Sequence, residues 1–355
     1  YMLPVILIGG FLIIRKIRRW ELVGTFLGSY LVIYIILGLL LYGNLRIFPL
    51  IYNPIFFFAF IMLIEPLTSP VIKKLQIVYA GLILAASFLI PIFLPNVYYS
   101  LEASLLLGNI FSFVASKNFR QVLTLKKKEK FNHDVTGFWF EPWSGRRRID
   151  FKQGQYLQWT LGHNKPDTRG IRRFFTIASS PTENLILLAT KFFEKPSSFK
   201  QALAKLEPGD EIVVHDLSGE FTLPADLGKK LVLIAGGIGV TPFRSQAKWM
   251  IDKSEKRDVI LLFSNKAKED IVFADVFERA EKLGWKTIYV NTDTDGYIDD
   301  AMIQEKVPDW QERMFYVSGP EPMVEAFEKM LYKMGLKKSQ VKRDYFEGYS
   351  ETHQK

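Results

Sequence analysis

Three short stretches of this sequence hold the residue types from which phosphate binding and redox chemistry are built. The first is Arg173-Phe174-Phe175-Thr176-Ile177-Ala178-Ser179-Ser180, a guanidinium, two aromatic rings and several hydroxyls around a predicted strand over 174–177. A guanidinium forks onto two phosphate oxygens at once, which a lysine cannot do. The second is Gly236-Gly237-Ile238-Gly239-Val240-Thr241-Pro242, directly behind the apolar run 230–235. Glycines let a chain turn sharply off a buried strand and bring bare backbone up to a phosphate. Thr241 and Pro242 suit the N-cap and first position of the helix that follows. No Gly-Lys-Ser/Thr comes next, so this is not a Walker loop. The third is Phe315-Tyr316-Val317-Ser318-Gly319-Pro320, leading into a helix over 323–334 that Gly335 stops. Taken singly, each has a plain structural reading: an edge strand, a tight turn, a helix start.

The elements that must position them follow from periodicity. Over 131–224 the pattern is short alternating strands (138–140, 156–161, 174–177, 185–192, 211–214) broken by turns, as in a small antiparallel barrel. Beyond Pro224 it becomes strand–helix alternation, the mark of a parallel sheet with crossover helices. Residues 1–116 are almost continuously apolar. The expected organisation is therefore multi-domain: an α-helical transmembrane bundle over 1–116, a basic cytoplasmic linker over 117–129, an antiparallel β-barrel over 130–228, an α/β nucleotide-binding domain with a parallel sheet over 229–349, and a tail over 350–355.

The order of the motifs resembles the ferredoxin–NADP reductase superfamily, whose flavin fingerprint is Arg-x-Tyr-Ser/Thr followed by Ser. The resemblance covers about 130–349, and Tyr156, in Gly154-Gln155-Tyr156, lies at the expected distance before the fingerprint. It implies FAD, with Arg173 on the pyrophosphate, Phe175 against the isoalloxazine, Thr176 at flavin N5, and Tyr156 and Ser179 nearby. Ser198, opening a helical stretch after a strand, is the expected phosphate serine, since helix starts present free N–H groups. Gly236, Gly237, Gly239 and Thr241 become the NAD(P) turn, Lys266 a contact at the adenosine ribose, and Gly319 and Pro320 the turn beside the nicotinamide. The family has Cys-Gly-Pro there; Ser318 replaces the cysteine as the residue beside the reacting carbon, so Thr176 and Ser318 are the expected catalytic pair. Phe346, in the terminal Asp344-Tyr345-Phe346, is expected beside the flavin. Two departures stand out: Phe175 for the commoner Tyr, and Asp216-Leu217 where Gly-Pro precedes the closing strand.

Five spans are expected in the apolar part: 2–14, 22–42, 47–64, 75–94 and 98–116. Opening at Tyr1 inside an apolar run is what a piece of a longer chain would show. Basic residues follow the first, third and fifth spans (Arg15 to Arg19; Lys73 and Lys74; Lys117, Arg120 and Lys126 to Lys128), which sets those ends, and the reductase part, in the cytoplasm of a plasma-membrane protein. The segment Phe60 to Pro70, FIMLIEPLTSP, resembles later spans of the D subunit of the Rnf complex and the B subunit of the sodium-translocating NADH:quinone reductase. That likeness covers roughly 50–116 and leaves room for an FMN in the membrane half. Its plain alternative is a tight interfacial turn.

Composition removes other classes. The net charge of +9 is concentrated in clusters that topology explains, so nucleic acid is not an expected partner. There is no cysteine, hence no disulfide and no iron–sulfur cluster on this chain. The four histidines (His133, His163, His215, His353) all lie outside the spans, which excludes haem held between paired span histidines. No metal site is expected. The expected activity is hydride transfer from cytoplasmic NADH or NADPH to FAD, then electron release to a membrane acceptor: a quinone, a second flavin or a partner subunit. The alternative is a redox-linked ion-translocating or scaffold subunit of an Rnf-like complex.

Overall fold

A computed structural model describes residues 2–17, 19–42, 54–65, 68–70, 73–117, 121–142 and 149–344. The chain splits into two compact units, Tyr1–Phe119 and Arg120–Lys355.

The first unit is helical. Helices α1 (Leu3–Ile17), α2 (Trp20–Tyr42), α3 (Lys73–Phe93) and α4 (Ser100–Lys117) match four of the predicted spans within a few residues. Of the third, the described part is a helical turn, Ile55–Phe57, that loosens into a π-helix, Phe58–Met62. Helices α3 and α4 close on each other at Gly108, where a Cβ would lie 2.6 Å from Ile83. Tyr79 donates across the same seam to Asn109 at 2.8 Å. Arg19, expected as one of the cytoplasmic charges, is buried; it donates to the Ser69 hydroxyl and to the Pro70 carbonyl, and Ser69 donates to Glu65 O. Its guanidinium thus ties Ser69 and Pro70 to the residue just before α2.

The second unit begins with a correction. The stretch expected as a basic linker is mostly strand β1 (Gln121–Lys130), paired with β2 (Val135–Pro142) and β6 (Glu211–Ser218) in the middle of a six-stranded antiparallel sheet. Leu123 and Leu125 point into the core while lysines alternate outward, and a bulge between Leu125 and Lys127 keeps the basic run on the wet face. Strands β3 (Tyr156–Thr160), β4 (Arg172–Thr176) and β5 (Ile186–Lys191) complete the order β4-β3-β6-β1-β2-β5. The open edges meet just past β4, where Ala178 N–H donates to Leu187 O at 2.9 Å. At Asp216 the chain takes a left-handed turn (φ +51°) inside a bulge of β6, the backbone shape a glycine would adopt freely.

The parallel sheet has the order β11-β10-β7-β8-β9, built from β7 (Leu231–Gly236), β8 (Val259–Asn265), β9 (Trp285–Asn291), β10 (Met314–Ser318) and β11 (Val341–Asp344). Strand β7 is fully buried to Ala235, as a strand covered on both faces must be. Helix α6 (Thr241–Lys253) bolts this domain to the barrel with three consecutive residues; α5 (Ser198–Lys205) precedes it on the barrel. Arg244 bonds Ala178 O and Glu183, Ser245 donates to Ser179 O at 2.6 Å, and Gln246 donates to Phe221 O at 2.8 Å.

Candidate flavin and dinucleotide site

The carboxyl ends of the parallel strands and the end of β4 converge. Ser318, Ala235 and Asp344 are register neighbours at the ends of β10, β7 and β11. Thr176, the last residue of β4, donates its hydroxyl to Asp344 Oδ2 at 3.3 Å. Burial pushes the Asp344 carboxyl up to about 7, and the Thr176 hydrogen bond offsets only part of that rise. A buried acid that holds or sheds a proton near neutrality therefore stands between the two expected catalytic residues, Thr176 and Ser318. All three are buried.

The glycines of the second motif do different things. A Cβ on Gly236 would strike Met323 Sδ at 2.2 Å, and one on Gly239 would meet Ser318 O and Gly319 Cα at 2.6 Å. Gly237 alone is open, and it is the one with left-handed backbone (φ +52°). Gly239 thus seats the turn against Ser318-Gly319, and Gly237 presents backbone outward. Thr241 is not the expected cap: Val240 occupies that position, Thr241 is the first helical residue, and its hydroxyl donates back to Ile238 O at 3.2 Å. Pro320 caps α7 (Glu321–Lys333), the helix that Gly319 leads into.

Beside Gly237 and Ile238 lies a cavity of about 140 Å³, also lined by Ser264, Asn265, Lys266 and Thr292 at the ends of β8 and β9 and by Lys191 of the barrel. Open sheets of this kind bind ligands in that crevice. Asn265 is 6% exposed, and neither of its amide atoms has a hydrogen-bond partner among the described residues. A buried carboxamide left unpaired at a cavity wall fits a polar ligand such as a nucleoside. Lys266, the expected ribose contact, is exposed at the same wall. Nearby, His133, Asp134 and Asp270 bring ligand-type atoms within 4.8 Å of one another, but the Lys191 ammonium already lies 2.6 Å from Asp134.

Along the fingerprint strand β4, successive residues alternate between the barrel interior and the other face. Arg173 faces the barrel interior opposite Trp159, is 2% exposed, and lies over the Phe199 ring. Its guanidinium donates to both oxygens of Asp167 (2.8 and 3.1 Å) and to the carbonyls of Arg169, Gly170 and Arg172. Burial alone would raise the Asp167 carboxyl; the backbone N–H of Arg169 and the Arg173 guanidinium outweigh it and hold it below the ordinary value. Phe175, opposite Leu157, packs toward the barrel core and Phe199. The ring that shares a face with Thr176 is Phe174, edge-on to Tyr156 at 5.6 Å. Ser179 is fully buried; its hydroxyl accepts from Leu187 N–H and its carbonyl from Ser245, so it joins strands and domains. Ser198 opens α5 behind the cap Ser197. His163 Nδ1 faces Leu161 O, so Nε2 accepts from the Ser198 hydroxyl at 3.0 Å, and Asp167 N–H donates to the same oxygen. Phe346 lies outside the described residues. Asp167, His163 and Asn265 were not found from sequence, because none lies in a recognisable spacing.

Comparison with known proteins agrees with this geometry. Residues 233–329 match the family described as oxidoreductase NAD-binding domain. The ferredoxin–NADP reductase of Plasmodium falciparum superposes with a TM-score of 0.55 at 16% identity, over 64% of this chain and 96% of that one. The second unit thus contains an oxidoreductase NAD-binding domain and shares the fold of that ferredoxin–NADP reductase. Among curated proteins, the chain is similar to the glycine betaine monooxygenase reductase subunit of Chromohalobacter salexigens (28% identity, covering 55% of this chain and 56% of the relative). It is also similar to a flavohemoprotein of Rhodopirellula baltica (26% identity, 64% and 61%). The chain thus spans less than two thirds of the length of these curated relatives. A flavohemoglobin of Malassezia yamatoensis has a TM-score of 0.56 at 20% identity over 84% of this chain and 74% of that one, a likeness of fold that reaches into the helical unit.

Proposed function

We propose that the protein is a membrane-anchored FAD-dependent oxidoreductase that takes hydride from NADH or NADPH on the cytoplasmic side of the plasma membrane and passes electrons to a membrane acceptor. The observation that carries the redox part is the meeting of Thr176, Ser318 and Asp344 at one point, with the dinucleotide crevice opening beside it. When bound, FAD supplies the two-electron to one-electron conversion. The chain's share is to fix two ligands relative to each other: Gly237 and Asn265 hold the dinucleotide, Phe174 and Tyr156 offer aromatic surface, and the buried Asp344 carboxyl, accepting the Thr176 hydroxyl at Oδ2, holds or releases a proton.

The membrane part rests on surface. Among the described residues two helices are long and apolar enough to cross a bilayer, Trp20–Leu40 and Leu75–Phe93; Leu3–Ile14 and Ser100–Ala115 are shorter. Val32, Ile35, Ile36, Leu39 and Leu40 on α2, and Leu106, Leu107, Ile110, Phe113 and Val114 on α4, are exposed. Such contiguous apolar surface is costly in water and natural in lipid. The Gly108 seam suits helix packing in lipid as well.

The acceptor class follows from the anchor: a quinone, a second flavin or a partner subunit within the bilayer. A partner oxygenase subunit, suggested by the monooxygenase reductase relative, is the competing acceptor. A haem in the helical unit does not fit, because residues 1–120 contain no histidine or cysteine, the commonest axial ligands. The ion-translocating reading rests on the Rnf-like segment alone, which lies outside the matched NAD-binding family. Purification of the full chain from membranes tests the proposal. It should resist an alkaline wash, come out with detergent, and carry the yellow spectrum of a flavin. A colourless protein that takes up no added FAD would end the redox part; release by the wash would end the membrane part.

A further inference from the structure

We infer that Arg244 is a positioning residue for hydride transfer, one that fixes the spacing between strand β4 and the dinucleotide turn. The inference rests on the hydride-transfer reading above and adds to it a side chain that acts through its neighbours. Arg244 lies three residues after Thr241, the first residue of α6, and so one helical turn from the short 3-10 turn Gly237–Val240 that opens the helix. Its guanidinium reaches out of that domain and donates to the carbonyl of Ala178 at 3.1 Å, two residues beyond Thr176 at the end of β4. It also forks onto the Glu183 carboxylate, Nη2 to Oε1 at 2.9 Å and Nη1 to Oε2. Glu183 Oε2 accepts the Ser180 N–H at 2.6 Å, so one arginine grips the segment behind β4 at both ends. The guanidinium lies over the ring of Trp139 from the barrel and that of Phe273 from the dinucleotide domain, 5.5 and 5.9 Å from their centroids. A planar forked cation held by a carboxylate, a carbonyl and two aromatic faces has little freedom to slide.

Stability alone does not account for an arginine here. The residue is buried, and apolar side chains of similar size often match or better a buried ion pair, because desolvation offsets the attraction. What the pair adds is direction. Its hydrogen bonds fix where Ala178 stands relative to α6, whereas an apolar contact between Trp139 and Phe273 would accept a range of nearby spacings. Ser245 and Gln246 each make one bond across the same seam, to Ser179 O and Phe221 O; Arg244 adds a two-point grip on a carboxylate. Hydride transfer needs its reacting atoms about 3–3.5 Å apart, and a misplacement of about 1 Å costs on the order of 100-fold. Thr176 and the dinucleotide turn are each within a few residues of the Arg244 contacts, so a slip at this joint passes directly into that distance.

The test is anaerobic stopped-flow reduction of the FAD-loaded full chain in detergent by NADH and by NADPH. Arg244→Met keeps length and bulk and removes the bonds. It should retain its FAD and its melting temperature, leave the half-saturating nucleotide concentration unchanged, and lower the limiting rate of flavin reduction about tenfold or more. Nucleotide deuterated at the transferred position should show a primary isotope effect on the slowed step at least as large as in wild type. Arg244→Lys, which restores charge without the fork, should fall between. A second readout needs no turnover: in the flavin-free chain, amide exchange over 178–183 should quicken in Arg244→Met while that of Leu231–Gly236 stays as in wild type. The double variant Glu183→Gln with Arg244→Met leaves no unpaired carboxylate and should behave as the single one, which covers a single variant that fails to fold. A wild-type limiting rate in either variant would overturn the inference, as would unchanged exchange over 178–183. So would a slow rate cured by reloading FAD, or unfolding of both variants, since the arginine would then only hold the fold. A wild-type chain that binds FAD but is reduced by neither nucleotide would overturn the hydride-transfer reading, and the inference with it.

Discussion

Thr176 Oγ1 donates to Asp344 Oδ2 across 3.3 Å, joining the last residue of the barrel's edge strand to the last residue of the final parallel strand. The bond crosses the line where flavin and nicotinamide are expected to meet, and it places a buried acid there.

That acid gives a pH signature. Asp344 rises from the ordinary 3.8 to about 7 because burial disfavours its charge. A folded-state value above the unfolded one means that the folded chain binds the extra proton between those limits. The stability this contributes is complete below 3.8 and is lost as pH rises through about 7. Asp344→Asn cannot ionise. Its melting temperature relative to wild type should therefore climb between pH 4 and pH 7 and level off above. Parallel melting curves across that range would contradict the assignment.

Asp167 and Arg173 should behave as a structural pair. Removing Asp167 leaves a buried guanidinium without its carboxylate, and Asp167→Ala is expected to cost about 3 kcal/mol in denaturant unfolding. The wild type should itself lose stability as pH falls through the lowered Asp167 value, because a depressed carboxylate stabilises only while ionised. A variant as stable as wild type would show that the pair is not coupled to folding.

At Asn265, stability and function should part. Its two unpaired amide atoms burden the nucleotide-free protein. Asn265→Leu is expected to raise the melting temperature of that form, while KM for NADH rises about tenfold. Reduced nicotinamide mononucleotide, which lacks the adenosine, should be oxidised equally well by both proteins. An unchanged KM for NADH would remove Asn265 from the site.

Gly239→Ala should be worse than its small volume suggests. The added carbon would meet Ser318 O and Gly319 Cα at 2.6 Å, so the turn or the Ser318 loop must shift. The expected cost is about 1–3 kcal/mol, with a lower kcat from the displaced Ser318. Full activity at full stability would show that the two loops need not touch.

The sequence made the order of elements readable because their periods are strong: the apolar runs, the alternation of the barrel and the buried strand before the glycine turn. It hid β1, because its lysine run looked like a linker; only the pairing of Leu123 and Leu125 into the core reveals a strand. The fingerprint residues were legible as a group but not one by one. That Arg173 turns toward the barrel interior depends on strand phase and on Asp167, a loop residue that no spacing marks. Asp344 was visible in its terminal motif, yet its raised acidity comes from burial by elements distant in sequence.

The central claim is that a bound flavin and a bound nicotinamide meet at Thr176, Ser318 and Asp344. The most direct measurement is an anaerobic titration of the purified, FAD-loaded full chain with NADH and then NADPH, followed in the visible spectrum. The account predicts stoichiometric bleaching of the flavin band by at least one of the two. A flavin that stays oxidised in the presence of excess of both would contradict it.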